Sequence, residues 1–322
     1  MARIGAAGNF AAFNCLVAVG ADWTNRDPLL GYPNAIEKGE YVKSENGALD
    51  LLIRAGLKEN ANKPHFLILD EMNLSHVERY FADFLSAMES EKGISIHNES
   101  NISESEIPSR ISLPKNLFIV GTVNVDETTY MFSPKVLDRA SVIEFKVSQE
   151  EMEVFLSNPS KADLKKLKRL GIEMAADFVA RANLTITNFT NAKNLNKVLL
   201  EFFRELKKTG AEFGYRTATE INRFAGIVDA LDSNWNSDEI IDAAVMQKLL
   251  PKLHGSRRKI ESTLKILAAL CLFDKEVIDK ALNDQSFDFI GSDKVRFPIS
   301  LEKISRMYRG AMQDGFTSFA EA

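Results

Sequence analysis

The sequence predicts an α/β protein: a parallel sheet in the first half, followed by an all-helical region. Three observations carry this. Continuous apolar runs of strand length stand at Cys15–Val19, His65–Leu69 and Leu117–Val120, the pattern of strands covered on both faces. A strong helical period lies between two of those runs, as in a strand–helix–strand unit. From about residue 150 onward strand signals fade and one helical period follows another.

Residues 1–14 are rich in Ala and Gly and show no cap or clear period. Cys15–Val19 reads as a buried strand, the polar and Pro-containing stretch Asp22–Asn34 as a loop, and Gly47–Leu57 as a short helix. His65-Phe-Leu-Ile-Leu-Asp70 is a strand ending in an acid. Over Ser75–Met88, residues Val77, Tyr80, Phe81, Phe84, Leu85 and Met88 form a single apolar stripe of helical spacing, and Ser75 with Glu78 has the spacing of a capping box. The Ser-, Glu- and Asn-rich stretch 93–112 is a hairpin or a loop. Leu117–Val120 and Ser141–Lys146 read as further strands, and Ser133 with Pro134 as the N-cap and first position of a short helix between them. Helices are expected at 149–156, 161–182, 193–208, 217–232, 238–253, 257–271, 274–283 and 298–312. The boundary falls near residue 150, giving an α/β core over 1–150 and a helical region over 151–322.

At 322 residues the chain is long enough to bury roughly three-quarters of its unfolded surface. With 45% hydrophobic residues and a net charge of −5, disorder and a generally basic nucleic-acid coat are excluded, although local basic patches remain open. Cys15 and Cys271 are too few and too distant for a disulfide framework, and the four histidines share no zinc-ligand spacing. No apolar run approaches the 18–20 or so residues of a membrane span, and the first residues lack the apolar core of a secretion signal. The expectation is a cytoplasmic protein without membrane partners.

Four constellations bear chemistry. Asp70 and Glu71 end a buried strand, where parallel sheets place their ligands. There, one acid can hold Mg²⁺ through water and the next can orient or deprotonate an attacking water; the plainer alternative is two solvated acids before a turn. Asn124 follows the strand Phe118–Val120 and can hydrogen-bond both a phosphate oxygen and a water, or simply make a turn. Arg139, delivered by the short helix after Pro134, can neutralise charge at a neighbouring subunit's nucleotide or pair with Asp138 or Glu144. Arg216 precedes Thr217 and Glu220, another capping-box spacing, so it sits just before a helix N-terminus, where a polyanion is favoured. A solvated arginine at a loop–helix junction is the alternative. The basic run Lys248–Lys259 contains five Lys and Arg and no acid, and reads as a solvated helix boundary or lid contact before nucleic-acid contact.

In this order the motifs resemble the AAA+ ATPase superfamily. Leu67-Ile-Leu-Asp70-Glu71 looks like its Walker B strand, Val120-Gly-Thr-Val-Asn124 like sensor 1, Leu137-Asp-Arg139 like the arginine-finger region and Phe213-Gly-Tyr-Arg216-Thr like sensor 2. More narrowly, Asp22-Trp-Thr, Leu30-Gly-Tyr, Asp70-Glu-Met-Asn, Gly121-Thr-Val-Asn and Gln247-Lys-Leu-Leu-Pro-Lys-Leu-His-Gly are similar to the McrB-like branch, the NTPase subunit of modification-dependent restriction systems. The resemblance implies that Asp70 holds Mg²⁺, Glu71 is the catalytic base, Asn124 senses the γ-phosphate, Arg139 acts in trans and Arg216 closes over the nucleotide. It implies ATP or GTP with Mg²⁺ as cofactor and a self-assembled ring, commonly a hexamer. It also implies a possible nuclease subunit as partner, with DNA contacted indirectly. A MoxR-like chaperone shares the core motifs but fits Gln247–Gly255 less well.

One departure is large. The sequence holds no Gly-x4-Gly-Lys-Ser/Thr and no Gly-Lys dipeptide, so the backbone nest, lysine and hydroxyl of a phosphate loop are missing. The resemblance implies a sheet order of 5-1-4-3-2. An N-terminally shortened member would lack the central strand, leaving the strands at 117–120 and 141–146 beside a vacant slot. Weak or no nucleotide binding by this chain is the expectation. The alternative is an AAA+-like framework serving as a non-hydrolysing interaction platform.

Overall fold

A computed structural model describes residues 13–37, 39–90, 92–100, 102–103, 106–124, 130–159, 171–184, 188–231 and 234–322. In chain order its strands are β1 (Asn14–Ala18), β2 (Tyr32–Pro33), β3 (Tyr41–Val42), β4 (His65–Asp70), β5 (Ile94–Ser95), β6 (Arg110–Ile111), β7 (Leu117–Gly121), β8 (His254–Ser256) and β9 (Phe316–Ser318). The helices of the first half are α1 (Asp27–Leu30), α2 (Ala48–Ala55), α3 (Val77–Tyr80), α4 (Ala82–Ser90) and α5 (Pro134–Leu137). They are followed by α6 (Gln149–Ser157), α7 (Ala175–Ala182), α8 (Ala192–Lys207), α9 (Tyr215–Leu231), α10 (Ser237–Lys248), α11 (Arg257–Leu270), α12 (Ile278–Asn283) and α13 (Pro298–Asp314). The expected Ala/Gly-rich start and much of the expected helix 161–182 lie outside the described residues. Among the described residues no helix is long and apolar enough to cross a membrane.

Contacts divide the chain into two units, one formed by Met1–Ser133 with Glu144–Leu184 and one by Pro134–Ile143 with Thr185–Ala322. The first holds a parallel sheet of order β1-β4-β7, in which Leu67 stands between Cys15 and Ile119. Leu67 and Leu69 on one face of β4 are fully buried, and α2 packs on β1 and β4. On the other face the rings of Phe66 and Phe118 lie 5.5 Å apart, and Phe178 of α7 stands 4.8 Å from Phe118. The two-sided burial is why β4 reads as an unbroken apolar run. The 93–112 excursion is a hairpin, β5 with β6. Arg26 pins it by donating to the carbonyls of Ser95 and Ile96 while pairing with Asp83 at 2.7 Å.

Several expectations fail between Ser75 and Lys146. Ser141–Lys146 forms no strand; Ile143 and Phe145 are 66% and 94% exposed. The apolar stripe from Val77 is buried as far as Leu85, but its helix breaks at Phe81 and Met88 is exposed. The Ser75–Glu78 capping box is not made: the Ser75 hydroxyl donates to the Trp23 carbonyl at 2.6 Å, and Glu78 accepts the Ser133 amide at 3.2 Å. Ser133, expected as the N-cap of the next helix, gives its backbone N–H to Glu78 and has a buried Oγ.

The second unit is a helical bundle whose core joins α8 to α13, with Phe202, Leu249, Leu264, Phe297, Leu301 and Ile304 fully buried. It is not all-helical. Strands β8 and β9 pair antiparallel, bringing the Gln247–Gly255 end beside the chain's last residues. Asp242 of α10 caps α13 from the side, accepting the backbone N–H groups of Ile299 and Ser300 at 2.8 Å each. Burial pushes the Asp242 carboxyl up to about 6 against these hydrogen bonds.

Candidate functional site

The acid pair sits where β4 gives out. The ladder between β4 and β7 runs one step past the strands, because Thr122 N–H donates to the Leu69 carbonyl at 2.9 Å and Met72 N–H to the Thr122 carbonyl at 2.8 Å. To turn away after Asp70, the chain places Glu71 at φ +54°, the one left-handed non-glycine residue among those described. A single 3₁₀ turn over Met72–Leu74 follows. The turn lies close on β7: a Cβ on Gly121 would stand 2.4 Å from the Met72 sulfur and 3.2 Å from its Cβ, so a larger residue there must displace the Met72 side chain. Tyr80 locks the turn from below, its hydroxyl donating to the Met72 carbonyl at 2.8 Å.

Within this corner Asp70, Glu71 and Asn124 are joined. Asn124 Nδ2 donates to Glu71 Oε1 at 3.1 Å. Thr122 Oγ1 donates to Asp70 Oδ1 at 2.6 Å and accepts the Glu71 amide at 3.0 Å. Asn73 Nδ2 holds the Asn124 carbonyl at 3.2 Å. Thr122 and Asn73 were visible inside the quoted motifs, but nothing in their spacing marked Thr122 as the partner of Asp70, 52 positions away, or Asn73 as the partner of the Asn124 carbonyl.

Arg139 and Arg216 belong to the helical unit. Arg139 follows α5 and donates to the Lys135 carbonyl at 2.6 Å. Arg216 is the second residue of α9 rather than the residue before it. Thr217 is therefore no N-cap; its buried hydroxyl donates to Asp138 Oδ1 at 3.3 Å, and Lys252 forms an ion pair with the same carboxylate. Lys248 donates to the Ala140 carbonyl at 2.8 Å, and burial lowers its pKa. Two cations of the expected solvated basic run are thus internal. They bind the segment carrying Arg139 to the loop after α10 and, through Thr217, to the start of α9.

Asp70 and Glu71 bring two carboxylates to this corner, and no group of three or more acids, histidines or cysteines that could hold a metal ion occurs among the described residues. A phosphate-cradling glycine loop is not part of the set. A separate open cleft of about 460 Å³ is lined by Asp22, Asp27, Gly31, Tyr32 and Lys43, residues of the Asp-Trp-Thr and Leu-Gly-Tyr motifs and their surroundings; none of the acid corner lines it.

Residues 163–316 match a family model described as a domain of unknown function, DUF8727. The matched stretch contains α7 to α13 and Arg216, but not the acid corner. No curated protein matches the chain.

Proposed function

We propose that this chain is a McrB-like AAA+ NTPase subunit whose acid corner handles the cation and water of nucleotide hydrolysis. The observation that carries the reading is the joined triad of Asp70, Glu71 and Asn124 at the ends of adjacent parallel strands. The sheet order β1-β4-β7 supports it, being the order the resemblance implies for the second, third and fourth strands. Asp70 would hold Mg²⁺ through water, and the bound ion would supply charge neutralisation at the phosphates. Glu71 would take the proton of the attacking water, with Asn124 fixing its carboxylate. Arg139 and Arg216 would meet developing phosphate charge, Arg139 at a neighbouring subunit of a ring.

Because the sequence has no phosphate loop, Mg²⁺ with ATP or GTP titrated into this chain should bind more weakly than micromolar; a micromolar dissociation constant refutes that expectation. In a polypeptide that also carries a Gly-x4-Gly-Lys-Ser/Thr segment, Glu71→Gln should abolish turnover and spare binding. Unchanged turnover overturns the assignment of Glu71. A second reading, a non-hydrolysing interaction platform, is favoured by α6, which buries no residue and exposes Met152, Val154, Phe155 and Leu156. Hydrolysis in the polypeptide with the phosphate loop excludes it.

A further inference from the structure

Asp70 and Glu71 are neighbours in sequence but face different demands. Each needs a fixed carboxylate, and the peptide between them must turn through a left-handed residue that a Glu side chain disfavours. A hydroxyl can donate once and accept twice, and the Thr122 hydroxyl uses both capacities here. Its proton goes to Asp70 Oδ1 at 2.6 Å and its lone pair takes the Glu71 amide at 3.0 Å. The first bond ties one oxygen of Asp70 and leaves Oδ2 as the one to present. The second holds the turn that carries the Glu71 side chain to Asn124, 3.1 Å from its Oε1.

We propose that Thr122 is the positioning residue of the acid corner: one hydroxyl sets Asp70 as a one-oxygen cation ligand and holds Glu71 in the conformation that meets Asn124. The cation part rests on the function proposed above; the conformational part does not. One-oxygen presentation suits a small octahedral ion that retains its water, rather than a larger ion taking both carboxylate oxygens.

The test uses the whole chain with Thr122→Val, which keeps the shape and removes the hydroxyl, and Thr122→Ser, which keeps the hydroxyl. Two readouts are made by NMR: hydrogen exchange of the Glu71 amide, and broadening of the Asp70 and Glu71 resonances by Mn²⁺ alone. Protection of the Leu67 and Leu69 amides reports that β4 is intact. Expected for Thr122→Val is about fivefold faster Glu71 exchange, from the loss of one net hydrogen bond, and about tenfold weaker Mn²⁺ response, the usual loss when a ligand's orienting partner is removed. Thr122→Ser should match wild type in both. If Thr122→Val fails to fold, Thr122→Ser decides alone: wild-type behaviour supports the proposal, and faster Glu71 exchange overturns it. Unchanged Glu71 exchange in a folded Thr122→Val overturns it as well. Thr122-dependent exchange without any Mn²⁺ response in wild type leaves Thr122 positioning Glu71, but overturns the cation half together with the function on which it rests.

Discussion

Replacing Glu71 by Gly and by Ala gives opposite signs from those found at ordinary positions. At φ +54° an L-residue pays about 1–2 kcal/mol that glycine does not, while glycine's freer unfolded chain returns about 0.5–1 kcal/mol of that. Both variants lose the Asn124 hydrogen bond at 3.1 Å, so its contribution cancels in the comparison. Glu71→Gly should therefore be the more stable by roughly 0.5–1 kcal/mol, which with a urea slope of about 1–3 kcal/mol per molar moves the midpoint up by about 0.5 M. The assay is urea unfolding followed by Trp23 fluorescence in a Trp235→Phe background, since Trp23 packs edge-on to Tyr80 at 5.3 Å and so reports the unit holding the acid corner. A midpoint for Glu71→Ala equal to or above that of Glu71→Gly refutes the left-handed turn, and with it the geometry that aims Glu71 at Asn124.

Asp242→Ala removes both side-chain acceptors at the start of α13 and should cost about 2–4 kcal/mol, read as a lower urea midpoint by Trp235 fluorescence. Because the folded Asp242 pKa lies above its ordinary value, at about 6, its contribution is fully present below pH about 4 and lost as pH rises through 6; Asp242→Asn should flatten that part of the profile. His65 is buried, its Nδ1 against the Lys63 carbonyl at 2.8 Å and its Nε2 without a partner. Burial lowers its pKa, opposed by that carbonyl and aided by Arg54 and Lys63. The unfolded chain thus binds the proton first, and the sheet unit should lose stability as pH falls below about 6.5, a slope that His65→Phe removes in the same Trp23 assay. Asp138→Ala leaves Lys252, whose side chain is 7% exposed, without its carboxylate. A cost of about 2 kcal/mol is expected, below the fully buried case because Asp138 is itself 35% exposed. Phe145→Ser should change unfolding by less than about 0.5 kcal/mol, since that ring covers nothing.

The parts of this chain written in continuous burial were legible, and the parts decided by distant partners were not. β4 matches its apolar run residue for residue, because both faces of a central strand must be covered whatever the loops do. The capping boxes show the opposite. Ser75 with Glu78 and Thr217 with Glu220 have the right spacing, yet tertiary acceptors at Trp23 and Asp138 claim the two hydroxyls. Ser148 with Glu151 and Asn236 with Glu239 have equivalent spacing and do form capping boxes. The site was legible as a list of acids and an amide. Thr122, which joins the two acids, carries no charge and no motif weight of its own, and its role exists only once β7 lies beside β4.

The segment after α5 makes the same point about strands. Val142-Ile-Glu-Phe-Lys-Val147 has alternating apolar residues and as much β-branching as Leu117–Gly121, but β7 becomes a strand and this segment does not. Composition cannot separate them. β7 has β4 to pair with over five registered positions, from Leu117 opposite His65 to Gly121 opposite Leu69. In the other segment Val142 N–H donates to the Gln247 carbonyl at 3.1 Å, no ladder is formed among the described residues, and Ile143, Phe145 and Val147 are 66%, 94% and 64% exposed. Strand preference is chiefly a measure of fit to a neighbouring strand and to a covered face. Among the described residues β7 ends the sheet on that side. Two segments of similar strand preference therefore differ, among the described residues, in whether a registered neighbour lies beside them.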